Sequence, residues 1–146
     1  MKYKELFLLK QIKARRLERQ KKELVRQSDI VHSLVEELEQ AHFEEEKTQA
    51  AWRDVRAVRL KSLLSTKKLL PEIESEYRVE LKWKKSWLDQ IQHTKQTHEL
   101  LQAAESKRAA DFQRVNLLLK ESEKFESLCS TVMKSELRRE LKRSEG

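Results

Sequence analysis

The chain has almost nowhere to turn. Of its 146 residues one is a glycine, the terminal Gly146, and one is a proline, Pro71, close to the midpoint. Compact domains reverse direction many times, and their turns draw on Gly for positive φ and on Pro for a fixed φ. Residues 1 to about 64 contain neither. Charged residues make up 39% of the chain and hydrophobic ones 38%. That balance is the composition of long helices and coiled coils. Disorder is the competing reading at such charge, and the regular spacing of Leu, Val, Ile and Trp opposes it.

That spacing is heptad. Leu17, Leu24, Val31, Leu38, Glu45 and Trp52 follow one another at sevens, with Leu34, Ala41 and Val55 on the partner row. These are the a and d positions of a coiled coil. Lower down the partner row turns polar, at Lys13, Gln20 and Gln27, so the seam is expected to weaken towards the N-terminus. The second half offers one row of Ile91, His98, Glu105, Phe112 and Leu119, and another of Trp87, Thr94, Leu101, Arg108 and Val115. Leu118, Phe125 and Val132 then form a row in a different phase, with Leu128 beside it. Such a slip reads as a stutter.

Between the halves, Lys61, Lys67 and Lys68 suit the negative end of an arriving helix dipole. Pro71 suits the first turn of a departing one, and Glu72, Glu74 and Glu76 its positive end. The expected fold is all-α, with two long helices forming one antiparallel coiled-coil hairpin. Arm 1 covers about 1–64, the turn about 65–71 and arm 2 about 71–141, followed by a short C-terminal tail. Facing residues in such a hairpin have numbers with a constant total. With Trp52 set against Trp87 that total is 139, and Leu38 faces Leu101, Leu24 faces Val115 and Phe7 faces Val132.

A hairpin of this kind encloses no pocket, which argues against an enzyme and against a bound cofactor. Cys129 is the one cysteine and has no His at a relay position, so neither a disulfide within the chain nor thiol catalysis is expected. His42 and His98 fall almost opposite each other, and two His make an incomplete metal site. They read better as a polar seam layer that fixes register. The acidic block Glu36, Glu37, Glu39, Glu44, Glu45 and Glu46 lacks a cleft to desolvate it and reads as a solvated face or a patch for a basic partner. No apolar run approaches the roughly 18 residues of a membrane span. Phe7-Leu8-Leu9 is too short for a signal-peptide core, so the expected location is the cytoplasm.

Charge marks one candidate surface. Residues 1–28 hold ten Lys or Arg against three Glu, a balance of +7 that equals the net charge of the whole chain. Lys10, Lys13, Arg15, Arg16 and Arg19 belong to this stretch, and Arg138 and Arg139 add to it from the C-terminal side. The functional reading is docking on an acidic partner; the plain one is a solvated face. Nucleic acid is disfavoured, because single-strand binders interleave aromatics with cations and all three Trp lie elsewhere. A membrane-surface helix is conceivable for Leu6, Phe7, Leu9 and Ile12 between Lys2, Lys4, Lys10 and Lys13. The reading preferred is that these residues pack against Leu128 and Val132. The second candidate surface is the tip. Trp52 and Trp87 fit seam rows beside Val55, while Trp83 fits less well and is the expected exposed contact.

The chain resembles the stalk proteins of type III secretion, the YscO/SctO group, relatives of flagellar FliJ. The likeness covers the whole chain in length, charge and two-helix layout. It includes the basic opening from Leu6 to Arg16, the stretch Lys120-Glu121-Ser122-Glu123-Lys124-Phe125-Glu126-Ser127-Leu128, and the later Glu136-Leu137. It implies a central stalk whose paired termini enter a hexameric export ATPase ring. The loop end would reach the cytoplasmic domain of the export gate, with secretion chaperones as further partners. It also implies no nucleic-acid partner, and membrane association only through the assembled complex. Only regions carry over; Trp52, Val55, Trp83 and Trp87 are assigned to the tip by position and chemistry. The alternatives are a generic cytoplasmic scaffold or tether, and a basic coiled coil that binds nucleic acid or anionic membrane.

Overall fold

A computed structural model describes residues 2–65 and 69–145, apart from the side chains of Lys2 and Tyr3. Among the described residues every one but Leu69 is helical. Helix α1 spans Lys2–Ser65 and helix α2 spans Leu70–Glu145. The two helices pack against each other, with no strand among the described residues.

Part of the expected turn, residues 66–68 with Lys67 and Lys68, lies outside the described residues. The start of α2 agrees with the chemistry of its sequence. The Leu69 carbonyl accepts from the N–H of Glu72 at 3.0 Å and of Ile73 at 3.2 Å, which opens the helix. Pro71 is the second residue of α2, where no intrahelical partner for an N–H exists, and Glu72 sits in the first turn beside the positive dipole end. At the other end α2 runs past residue 141 to Glu145, so the stretch expected as a tail is helical there.

The chain divides into two compact units, Met1–Asp29 with Glu105–Gly146, and Ile30–Ala104. In the second unit Trp52 stacks on Trp87 and Arg59 pairs with Glu80, and both pairs of numbers total 139. In the first unit the Lys13 ammonium lies over the Phe125 ring, a total of 138. Within each unit a rising α1 number meets a falling α2 number, so the segments are antiparallel.

The seam of α1 follows its heptads. Leu17, Gln27, Val31 and Ala41 are buried, and Lys13, Gln20, Leu24, Leu34, Leu38, Glu45, Trp52 and Val55 are half-buried. The seam of α2 corrects the sequence reading. Trp87, Thr94, Leu101, Arg108 and Val115 do form one row, and it continues without a slip to Ser122 and Cys129. The other row is Gln90, Thr97, Ala104, Asp111, Leu118, Phe125 and Val132, at strict sevens. His98, Glu105 and Phe112 lie one position aside and are exposed, with Ile91 and Leu119 half-buried on the flank. No stutter is needed, because the second row is polar where apolar spacing had pointed next door.

The resulting core is thin and mixed. Among the described residues the buried apolar side chains are Leu17, Val31, Ala41, Leu101 and Val115, and an equal number of buried residues are polar: Gln27, Glu80, Thr94, Thr97 and Asp111. Most of the polar ones find local partners, as burial requires. The Thr97 hydroxyl donates to the His93 carbonyl at 2.9 Å, and that of Thr94 to the Gln90 carbonyl at 2.9 Å. Ala41, small enough for α2 to come close, exposes its carbonyl to Gln90 Nε2 at 3.2 Å and to the Thr94 hydroxyl at 3.4 Å. His42 and His98 make no seam layer. Both are exposed, and His42 Nδ1 lies 3.9 Å from Glu45 on its own helix. Thr94, Thr97 and Gln90 are the polar seam residues of that region instead.

Candidate functional site

The unit that pairs Met1–Asp29 with Glu105–Gly146 carries the basic candidates. Seam geometry sorts them into two sets. Lys10 is exposed and lies 3.9 Å from Glu126, and half-buried Lys13 holds its ammonium 4.8 Å from the centre of the Phe125 ring. Their charge is partly engaged inside the hairpin. Arg15 and Arg19 point away from the seam and Arg16 flanks it; all three are exposed and form no ion pair among the described residues. Arg15, Arg19 and Lys22 line a shallow groove on the outer face of α1. Arg138 and Arg139 are exposed on α2 in the same unit, also without an ion pair among the described residues.

The apolar residues of this end depart from expectation. Leu6 and Val132 are half-buried at seam positions. Phe7, Leu8, Leu9 and Ile12 are between 44% and 57% exposed, and Leu128 is 51% exposed. Consecutive helical residues point about 100° apart. A narrow seam therefore accepts Leu6 and leaves its three successors facing other directions, with Phe7 no longer opposite Val132. The outer face of α1 thus offers Leu8 and Ile12, one turn apart, among Lys4, Arg15 and Arg19. Cys129 is half-buried on the seam, beside a small cleft lined by Phe7, Lys10, Glu126 and Met133.

The unit Ile30–Ala104 carries the tip candidates. The Trp52 and Trp87 rings stack with centroids 5.2 Å apart and planes 10° from parallel. Neither indole Nε1 has an acceptor, and both are shut off from solvent. The Arg56 guanidinium lies 5.6 Å from the centre of the Trp52 ring. These two Trp face each other across the seam. Trp83, which belongs to the row of Gln90 but stands near the end of the seam, is 40% exposed. Val55 is half-buried and lines an open cleft of about 410 Å³ with Val58, Val79, Asp54 and Glu76. Sequence spacing set Trp52 against Trp87 correctly. It missed Glu80, a buried carboxylate held by Arg59 with Arg56 at 3.9 Å; a lone Glu on the row of Trp87 was the available signal.

Most of the acidic block stands exposed. Glu36, Glu37, Glu39 and Glu46 are exposed or nearly so, and Glu44 and Glu45 half-buried. Among the described residues no group of three His, Cys, Asp or Glu is placed to hold a metal ion, and no helix is long and apolar enough to cross a membrane. Comparison with protein-family models, with curated proteins and with solved structures finds no match.

Proposed function

We propose that this chain is a non-enzymatic docking and coupling protein: the central stalk of a type III secretion export ATPase, working in the cytoplasm at the inner membrane face. Its paired termini would engage a hexameric export ATPase, and its loop end the cytoplasmic domain of the export gate, with secretion chaperones as further partners. The observation that carries the reading is the set Arg15, Arg16 and Arg19, exposed on paired terminal segments and without ion pairs among the described residues. Surface cations with no partner inside the fold are free to meet an acidic one outside it. The mechanism is mechanical. A helical hairpin that contacts some states of the ring better than others shifts the ring towards those states, without binding nucleotide itself.

The combined variant Arg15→Glu, Arg16→Glu, Arg19→Glu is expected to weaken binding to purified export ATPase at least about tenfold, with helicity unchanged. Unchanged affinity would reject the ATPase reading. At the other end Trp83→Ala, which removes an exposed aromatic of the kind that anchors interfaces, is expected to weaken titration against the gate domain about tenfold. Equal binding by a normally helical variant would remove Trp83 from the contact.

The exposure of Leu8 and Ile12 among cations favours a second reading, adsorption to an anionic membrane. Co-sedimentation with anionic but not neutral vesicles at physiological salt, lost in the Leu8→Asp, Ile12→Asp variant, would support it over the ATPase.

A further inference from the structure

One flank of the unit Ile30–Ala104 joins apolar and cationic side chains that stand exposed. Tyr77, Leu81 and Leu88 stand four and eleven residues apart on α2, which places them within about 40° of one another around the helix. They are 48%, 42% and 49% exposed. Leu70, one heptad before Tyr77, extends the stripe towards the loop and is 68% exposed. From Leu70 to Leu88 the stripe covers about 27 Å of helix. On α1 the same flank holds exposed Leu60 and half-buried Leu63. Arg59 shows that the two helices share this side, since its guanidinium lies 5.2 Å from the centre of the Tyr77 ring.

Beside the stripe the charge on this flank is mainly positive, with exposed Glu46 and Glu99 lying further along it. Arg53, Arg56, Lys84 and Lys95 are exposed along it, against exposed Glu74. The other nearby acid, Glu80, is buried and held by Arg59 and Arg56. The opposite flank differs, since its cleft between Val55, Val58 and Val79 is rimmed by two acids, Asp54 and Glu76, against Arg59. Trp83 does not belong to the stripe either, being about 140° round the helix from Leu88.

The geometry points to a docking site for an acidic amphipathic helix on the flank of Tyr77, Leu81 and Leu88. A partner helix lays an apolar stripe at i, i+4 and i+7 along these side chains, the helix-in-groove mode of recognition. Its Glu or Asp residues meet Arg53 and Arg56 from α1 and Lys84 and Lys95 from α2. The apolar stripe supplies affinity, and the surplus of cations selects the sign of the partner. The two helices of the hairpin already satisfy their backbone groups, so the flank has no strand edge to offer an extended peptide. This site is separate from the surfaces assigned to the ATPase and the gate, and does not depend on either.

Two synthetic helical peptides with one leucine stripe and different flanks, Glu in one and Lys in the other, test it by fluorescence anisotropy against the full chain. The Glu-flanked peptide is expected to bind at least about tenfold tighter than the Lys-flanked one. The variant Leu81→Asp, Leu88→Asp is expected to lose that binding about tenfold or more at unchanged helicity, because both residues are exposed. Leu8→Asp, Ile12→Asp and Trp83→Ala should leave it intact. Equal binding of the two peptides, or unchanged binding by the Leu81, Leu88 variant, overturns the site. So does loss of binding in the Leu8, Ile12 variant, which would place the peptide on the terminal segments. Sedimentation that finds the wild type dimeric and the Leu81, Leu88 variant monomeric also overturns it, since a second copy would then cover the flank.

Discussion

Trp87→Ala is expected to lower the stability of the unit Ile30–Ala104 by about 2–3 kcal/mol, seen as an earlier urea transition of helicity. A fully buried Trp truncated to Ala costs about 3–5 kcal/mol, and Trp87 is half-buried, so a smaller loss applies. The loss has two parts. One is the area of an indole against the seam, and the other the stacking with Trp52 at 5.2 Å, worth roughly 0.5–1.5 kcal/mol beyond area. The cavity cannot be filled from the α1 side, where Ala51 is small and Val55 already packs one turn away. Trp87→Phe separates packing from polarity. It keeps a ring on Trp52 and deletes an indole N–H that has no acceptor, so it should cost no more than about 1 kcal/mol. Two parallel indoles at this distance also couple electronically, and the resulting couplet in circular dichroism should vanish in either variant. Amide exchange should quicken in residues 30–104. If Trp87→Ala melted with the wild type and kept the couplet, the stack would not exist in solution.

The Trp pair was legible because two large aromatics fell on heptad rows on either side of Pro71, one 19 residues before it and one 16 after. The α1 seam was legible for the same reason: Leu17, Leu24, Val31, Leu38 and Trp52 keep strict sevens. The second row of α2 was not. Its members between the Trp and Leu118 are Gln90, Thr97, Ala104 and Asp111, while Ile91, Phe112 and Leu119 stand one residue further on. A rule that reads hydrophobicity takes the greasier row, and then needs a slip to rejoin Leu118 and Phe125. The structure instead keeps one phase and buries threonines whose hydroxyls turn back to their own helix, which hides a polar group at little cost. The same bias placed His42 and His98 inside and Phe7 against Val132. At the terminal end, the sign of the charge could be read from the residues but its availability could not. Lys13 and Arg15 are both cations two positions apart, yet one lies over Phe125 and the other faces away from the seam.

The polar row makes a second large effect testable. Asp111→Leu is expected to stabilise the unit of paired termini by about 2–4 kcal/mol. The Asp111 carboxylate is buried, and its Oδ2 has no hydrogen-bond partner among the described residues. The register set by Lys13 and Phe125 puts Gln27 across from it. Gln27 is itself buried and directs its Nε2 to Glu23 at 3.4 Å, so it does not serve Asp111. An unsatisfied buried acceptor costs about 1–3 kcal/mol, and a leucine in its place adds about 1.5–3 kcal/mol of apolar burial. The sum is an upper bound, because the unfolded chain already hides part of that surface. Urea titration should show the gain as a later midpoint at unchanged slope.

A residue this costly is kept for something, and a seam with few large apolar side chains is prone to sliding. A polar seam position can hold register at the expense of stability. Spin labels at exposed Lys22 and Asn116, in a Cys129→Ser background, should therefore report a narrow distance distribution in the wild type and a broader one in Asp111→Leu. More stability with an equally narrow distribution would confine the role of Asp111 to an uncompensated desolvation cost. Stability unchanged or lowered would mean that the carboxylate is satisfied in solution after all, and that this row tolerates charge because water or a partner reaches it.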